Sequence, residues 1–110
     1  ACIQWLASVM ESEGVDIQHA RNGGEYKLPD TRIFVDGYCA DTNTVYEFHG
    51  DYWHGNPKMY EATDRNKRGY SMGELYENTL IREQQIRDMG YNLVVMWESD
   101  WNQIKKMGKV

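Results

Sequence analysis

The chain has 110 residues, 41% hydrophobic and 26% charged, with a net charge of −5; that length suits one small domain with a single core, and the acidic balance argues against a protein that simply coats nucleic acid. No apolar run approaches the roughly 20 residues of a membrane span, and the start of the chain lacks the basic residues of a signal peptide. Cys2 and Cys39 are too few for a metal framework or a disulfide scaffold, so a reduced, intracellular setting is expected and a membrane is not.

In chain order, Ile3, Leu6, Ala7 and Met10 fall at helical spacing, with Trp5 and Val9 widening the apolar face and Gly14 as a stop. VDIQHA alternates as a short strand, and RNGGEYKLPD has the composition of a loop. RIFVDGYC, the turn ADTN and the returning TVYEFHG predict a β-hairpin over residues 32–50. Residues 55–73 form a long polar loop of the kind that usually has a function. GELYENTLIREQQIRDMG predicts a helix with Leu75, Thr79, Ile86 and Met89 roughly on one face, ended by Gly90. NLVVMWE predicts a buried strand, and SDWNQIKKM a last helix capped by Ser99 or Asp100. The order α-β-β-β-α-β-α gives an α/β class with a small mixed sheet flanked by helices.

The stretch VYEFHGDYWHGNP, residues 45–57, combines a strand's aromatics with charged and turn-forming residues. Glu47 and His49, two apart on a strand, share a face. Asp36 on the paired strand meets Glu47 if the register places it at the matching end. Two carboxylates held close repel one another unless a cation sits between them, and hard oxygen ligands of this type suit Mg²⁺. A histidine beside such a metal can position or deprotonate a water. Singly, each residue has a plainer reading: Asp36 in a turn, Glu47 facing solvent, His49 and His54 as satisfied polar groups. Together, at these spacings, they argue for a site. Asp30 precedes the strand and suits a turn, His19 is structural, and Trp97 and Trp101 belong to the core, while Glu98 at the strand's end is a candidate neighbour of the site. Arg82 and Arg87 fit a solvated helix face. Lys58, Arg65, Lys67 and Arg68 make a basic loop, and Lys105, Lys106 and Lys109 a basic tail.

VDGYCADTNTVYEFHG resembles the core hairpin of the PD-(D/E)XK nucleases, with an acid on one strand and Glu-x-(Lys or a substitute) on the next. EFHGDYWHGNP, the helix and GYNLVVMWE are similar to the very-short-patch repair endonucleases and to the related EDxHD catalytic domains of homing endonucleases. The resemblance runs over nearly the whole chain. It implies a restriction-endonuclease-like core, with Asp36 and Glu47 as metal-binding acids and the Phe48 carbonyl as a further ligand. It also implies His49 in place of the superfamily's lysine, His54 as a second catalytic histidine, and Tyr52 and Trp53 as aromatics against bases. The repair enzymes' zinc ligands correspond here to Asp51, Asn56, Lys58 and Ser99, so no structural zinc is expected. Relatives carry a glutamate on the first helix; Gln4 is the nearest counterpart, with Glu11 and Glu13 further along, and a neutral amide there would weaken the metal site.

The expectation is therefore a single catalytic domain, residues 1–110, of a Mg²⁺-dependent DNA endonuclease of homing type, with Mn²⁺ able to substitute. It would hydrolyse phosphodiesters of double-stranded DNA through an activated water. A mismatch-repair nickase, or a catalytically impaired DNA-binding module of the same fold, is the alternative. So small a nuclease implies a DNA-binding region elsewhere in a longer chain, or a homodimer, and a cytoplasmic or phage-encoded origin. Tyr52 and Trp53 would stack on bases while Lys58, Arg65, Lys67 and Arg68 follow the phosphates.

Overall fold

The apolar spacing near the N-terminus produces α1 (Cys2–Glu13), which buries Trp5, Leu6 and Val9 and ends at Gly14, whose left-handed conformation lets its amide reach the Met10 carbonyl. The structure, a computed structural model, describes residues 1–108; Lys109 of the basic tail lies outside them. After α1 come β1 (Tyr26–Lys27), β2 (Phe34–Val35), β3 (Gly37–Cys39) and β4 (Thr44–His49). The chain continues through α2 (Asp51–His54), α3 (Met72–Asp88), β5 (Asn92–Trp97) and α4 (Glu98–Lys106).

The main sheet is three-stranded, in the order β3-β4-β5. β3 and β4 are antiparallel, with Gly37 opposite Tyr46 and Cys39 opposite Thr44. β4 and β5 run parallel, with α3 as the crossover between them. Alternation along β4 sorts its side chains to two faces. Tyr46 packs in one cluster with Trp5, Leu6, Val9, Ile17, Cys39 and Trp101, flanked by Phe48 and Met96. Val45 packs with Leu28, Val35 and Ile86 on the other side. Helices α1 and α4 thus cover one face and α3 the other, a mixed α/β fold with small sheets flanked by helices.

The structure differs from the sequence reading in several places. VDIQHA contributes a single bridge, Gln18 to Tyr38, rather than a strand. RIFVDGYC is not continuous: β2 pairs with β1, inside the expected loop, and β3 pairs with β4, the break falling at Asp36. β5 is an edge strand with alternating exposure, Val94 being 40% exposed, and not the buried strand its composition suggested. Helix α4 starts at Glu98 with Trp97 as its N-cap and no side-chain cap bond, so neither Ser99 nor Asp100 caps it. Helix α3 starts one residue early, at Met72, because Ser71 and Glu74 form a reciprocal capping box. It buries Met72, Thr79, Glu83 and Ile86, whereas Met89 is exposed. Two polar residues on that inward face have partners in the site.

Candidate active site

The site begins where β-pairing stops. Gly37 is pressed between Leu6 and Ile17, and a Cβ there would lie 2.8 Å from Ile17 Cγ2. This close approach brings the chain into register opposite Tyr46, and Asp36 follows as the residue facing Glu47. At that point side chains replace the ladder. The Phe48 amide donates to Asp36 Oδ2 at 2.8 Å, and the Asp36 amide donates to Glu47 Oε2 at 3.3 Å. The register thus brings Asp36 and Glu47 together.

Their environments differ. Burial pushes the Asp36 carboxyl above its ordinary range, opposed by the Phe48 amide; the Glu47 charge raises it further, and Arg82 and His49 act against the rise. Glu47 is 4% exposed and paired. Arg82 donates from Nε to Glu47 Oε1 at 2.7 Å and from Nη2 to the Phe34 carbonyl at 2.7 Å. Arg82 therefore does not sit on a solvated helix face: it fastens α3 over the carboxylate pair. Arg87 does lie on the solvated face, 47% exposed, with Nη2 3.7 Å from Glu83 Oε1 one turn back.

His49 points to the same face as Glu47 and is 1% exposed, with Nε2 3.1 Å from Glu83 Oε2. His54 stacks on it at 4.3 Å between ring centroids, and Trp97 meets both rings edge-on. His54 is placed by α2, a single turn missing from the sequence reading, which Gly55 closes in the left-handed conformation. A Cβ at Gly55 would collide with the Met72 carbonyl, so the glycine is what lets α2 lie against α3. The His54 Nδ1 is 3.0 Å from Thr79 Oγ1. Burial, then the His49 and Arg82 charges, pull its pKa down to about 4. His54 is thus neutral at pH 7.

Among the described residues, no group of three or more His, Cys, Asp and Glu side chains is gathered to hold a metal. Mg²⁺ does not require one, because it commonly takes one or two carboxylates and completes its shell with water and phosphate oxygens. Asp36 and Glu47 fit that pattern. The Phe48 amide points at Asp36, and an extended residue directs its N–H and C=O to the same side, so the Phe48 carbonyl lies on the Asp36 side as well. Gln4 is not brought to this pair. It is exposed and lines a surface groove with Ala7, Ser8, Glu11, Trp101 and Lys105. The α1 residue near the carboxylates is Cys2, whose thiol is pushed up to about 12 by burial and then by the Asp36 charge. At about 100° per residue, positions 2 and 4 face nearly opposite ways.

Three of the four positions that correspond to zinc ligands bond to one another. Asn56 Nδ2 donates to Asp51 Oδ1 at 2.8 Å, and Ser99 Oγ donates to the same oxygen at 3.2 Å. The Asp51 amide reaches Glu98 Oε1 at 3.1 Å, which places Glu98 on this latch rather than among the carboxylates. Lys58 contributes only its amide, to Asn56 Oδ1, and its side chain is exposed. The cluster ties α2 to the start of α4.

Trp53 is 70% exposed and stands edge-on to Tyr52, at 5.2 Å between centroids. The Tyr52 hydroxyl accepts from the Lys67 amide at 3.0 Å, linking the aromatic pair to the basic loop. Within that loop Arg65 donates to the Gly69 carbonyl, while Lys67 and Arg68 are exposed. Asp30 occupies a turn at φ 61°, and the buried His19 accepts from the Arg21 amide, in keeping with structural roles. Trp101 is buried, whereas Trp97 lines the histidines. No helix of the described chain is long and apolar enough to cross a membrane. The chain matches no model of a known protein family and no curated protein.

Proposed function

We propose that the protein is the catalytic domain of a Mg²⁺-dependent DNA endonuclease with a restriction-endonuclease-like core, acting on double-stranded DNA. The observation that carries this reading is the apposition of Asp36 and Glu47 at the open end of the β3–β4 hairpin. The Glu47 charge disfavours ionised Asp36, and a divalent cation between the two carboxylates would relieve that repulsion. Asp36, Glu47 and the Phe48 carbonyl would hold that ion, which supplies charge neutralisation at a bound phosphate and a more acidic water. His54, neutral and half-buried against His49, is suited to accept a proton. Trp53 offers an exposed ring on which a base can stack, and the loop from Lys58 to Arg68 offers cations to the backbone. A homodimer, or a DNA-binding region elsewhere in a longer chain, would supply the remaining affinity.

One pair of observations favours a second reading, a catalytically impaired DNA-binding module. Arg82 already neutralises Glu47, and His49 has almost no exposed surface. Incubation with supercoiled plasmid, with and without Mg²⁺ or Mn²⁺, separates the two. Divalent-dependent linear or nicked product is expected of the homing-type enzyme, and nicking confined to mismatched duplex of a mismatch-repair type. DNA binding without cleavage under any divalent condition would leave the module.

A further inference from the structure

Thr79 lies on the buried face of α3, where an apolar residue would pack more simply, and its hydroxyl has a single proton. Three bonds converge on Oγ1: to the Leu75 carbonyl at 2.9 Å, to the His54 carbonyl at 3.4 Å and to His54 Nδ1 at 3.0 Å. Carbonyl oxygens only accept, and the shortest of the three contacts is to the Leu75 carbonyl of the preceding helical turn, which makes it the favoured recipient of the hydroxyl proton. With the proton there, Oγ1 is left to accept from His54. That arrangement places the imidazole proton on Nδ1 and the lone pair on Nε2.

We infer that Thr79 is a positioning residue that sets the His54 tautomer, so that Nε2 is the nitrogen that takes a proton from the attacking water. This rests on the nuclease reading above. As the oxygen–phosphorus bond forms, the water's proton passes to Nε2; as the bond from phosphorus to the leaving oxygen breaks, a proton from solvent or from Nε2 neutralises that oxygen. The charged and titratable groups packed around His54 favour its neutral form: His49 on β4 and Arg82 on α3 are both positive when charged. Glu83 is turned to His49 and Arg87, and β5 presents the uncharged Trp97. His49 is bonded to Glu83 and nearly unexposed, which leaves His54 as the accessible imidazole.

The test is ¹⁵N NMR of the imidazoles in the intact protein, with His54→Gln to assign the signals. At pH 7 the wild-type His54 is expected as the neutral Nδ1–H tautomer. Thr79→Ser should keep that signature. Thr79→Val should lose it and lower kcat about tenfold or more with KM unchanged. A wild-type His54 protonated on Nε2 would overturn the inference, as would a folded Thr79→Val protein that retains the Nδ1–H signature. The tautomer is read without cleavage, so a protein that shows the Nδ1–H form and cuts no DNA would refute the nuclease reading and leave the Thr79–His54 geometry standing.

Discussion

Asp36 and Glu47 are equivalent in spacing but not in energy. Asp36 is half-buried, is disfavoured as an anion by burial and by its neighbour, and keeps one amide as a partner. A carboxyl whose folded pKa is raised lends stability below its unfolded pKa and loses it as pH rises through the folded value, so ionised Asp36 costs stability at pH 7. Asp36→Asn, which still accepts from the Phe48 amide, should therefore melt at or above the wild-type temperature. Glu47→Gln should melt lower, by about 1–2 kcal/mol of stability, because Arg82 is left without its charge partner in a partly buried site. Equal effects of the two substitutions in a thermal melt would contradict this. The two acids were legible from the sequence as candidates on paired strands, but their meeting depended on the register, which the pairing of Gly37 with Tyr46 sets. The asymmetry was not legible, since it comes from Arg82, which reaches Glu47 across 35 residues of chain.

His54 adds a pH dependence of the opposite sign. Its folded pKa, lowered from 6.5 to about 4, means that the unfolded chain binds this proton more readily. The contribution is present above pH 6.5 and lost as pH falls toward 4. Melting temperature should decline over that window in the wild type, and less steeply in His54→Gln. Parallel profiles for the two proteins would show that His54 does not titrate as its surroundings require.

Among the elements, α2 repays the closest comparison with its sequence. Its DYWH turn is too short for any periodicity, which is why it was invisible, and tertiary contacts hold it. Asp51 collects donors from Asn56 and Ser99, and Gly55 lets the turn lie on α3. Asp51→Ala leaves two donors short of an acceptor and should cost about 2–3 kcal/mol. Stability within 0.5 kcal/mol of wild type, on the order of a surface change, would show that the latch is not needed. The same turn lifts Trp53 into solvent, so Trp53→Ala should leave the melting temperature nearly unchanged while weakening DNA binding by roughly 1–3 kcal/mol. A large loss of stability with normal DNA affinity would place the ring in a packing role. Arg65, Lys67 and Arg68 substitutions should mainly flatten the salt dependence of binding.

Helical phase makes a further distinction on α1. Gln4 was the sequence's candidate for a missing metal ligand, because linear alignment of a helix does not reveal which face a neighbouring strand will cover. With Cys2 packed against the core and within the influence of the Asp36 charge, and Gln4 in the groove beside α4, Gln4→Glu should leave Mn²⁺ affinity unchanged by calorimetry. A marked tightening would show that position 4 does reach the carboxylates. The other elements were legible in proportion to their local signals. α1 carries helical periodicity, α3 a rougher apolar face ended by Gly90, and β4 a β-branched and aromatic run after a turn. β1, β2 and β3 are two or three residues long and depend on a break at Asp36 that only the packing of Gly37 explains.

At the scale of the whole molecule, the layers divide structural and chemical roles. α1 and α4 seal one face of the sheet with an aromatic and aliphatic core. α3 covers the other with Thr79, Arg82 and Glu83, each bonded to a residue of the constellation 36–54. A helix that existed only for packing would not spend three inward positions on polar groups. This division is what turns an acidic hairpin into a candidate catalytic centre. The claim is tested most directly by supercoiled-plasmid cleavage, comparing the wild-type protein with Asp36→Asn at matched folded concentration in Mg²⁺. The account predicts divalent-dependent cleavage by the wild type and none by Asp36→Asn, although the variant is at least as stable. Cleavage by Asp36→Asn at the wild-type rate, or none by the folded wild-type protein in either Mg²⁺ or Mn²⁺, would contradict it.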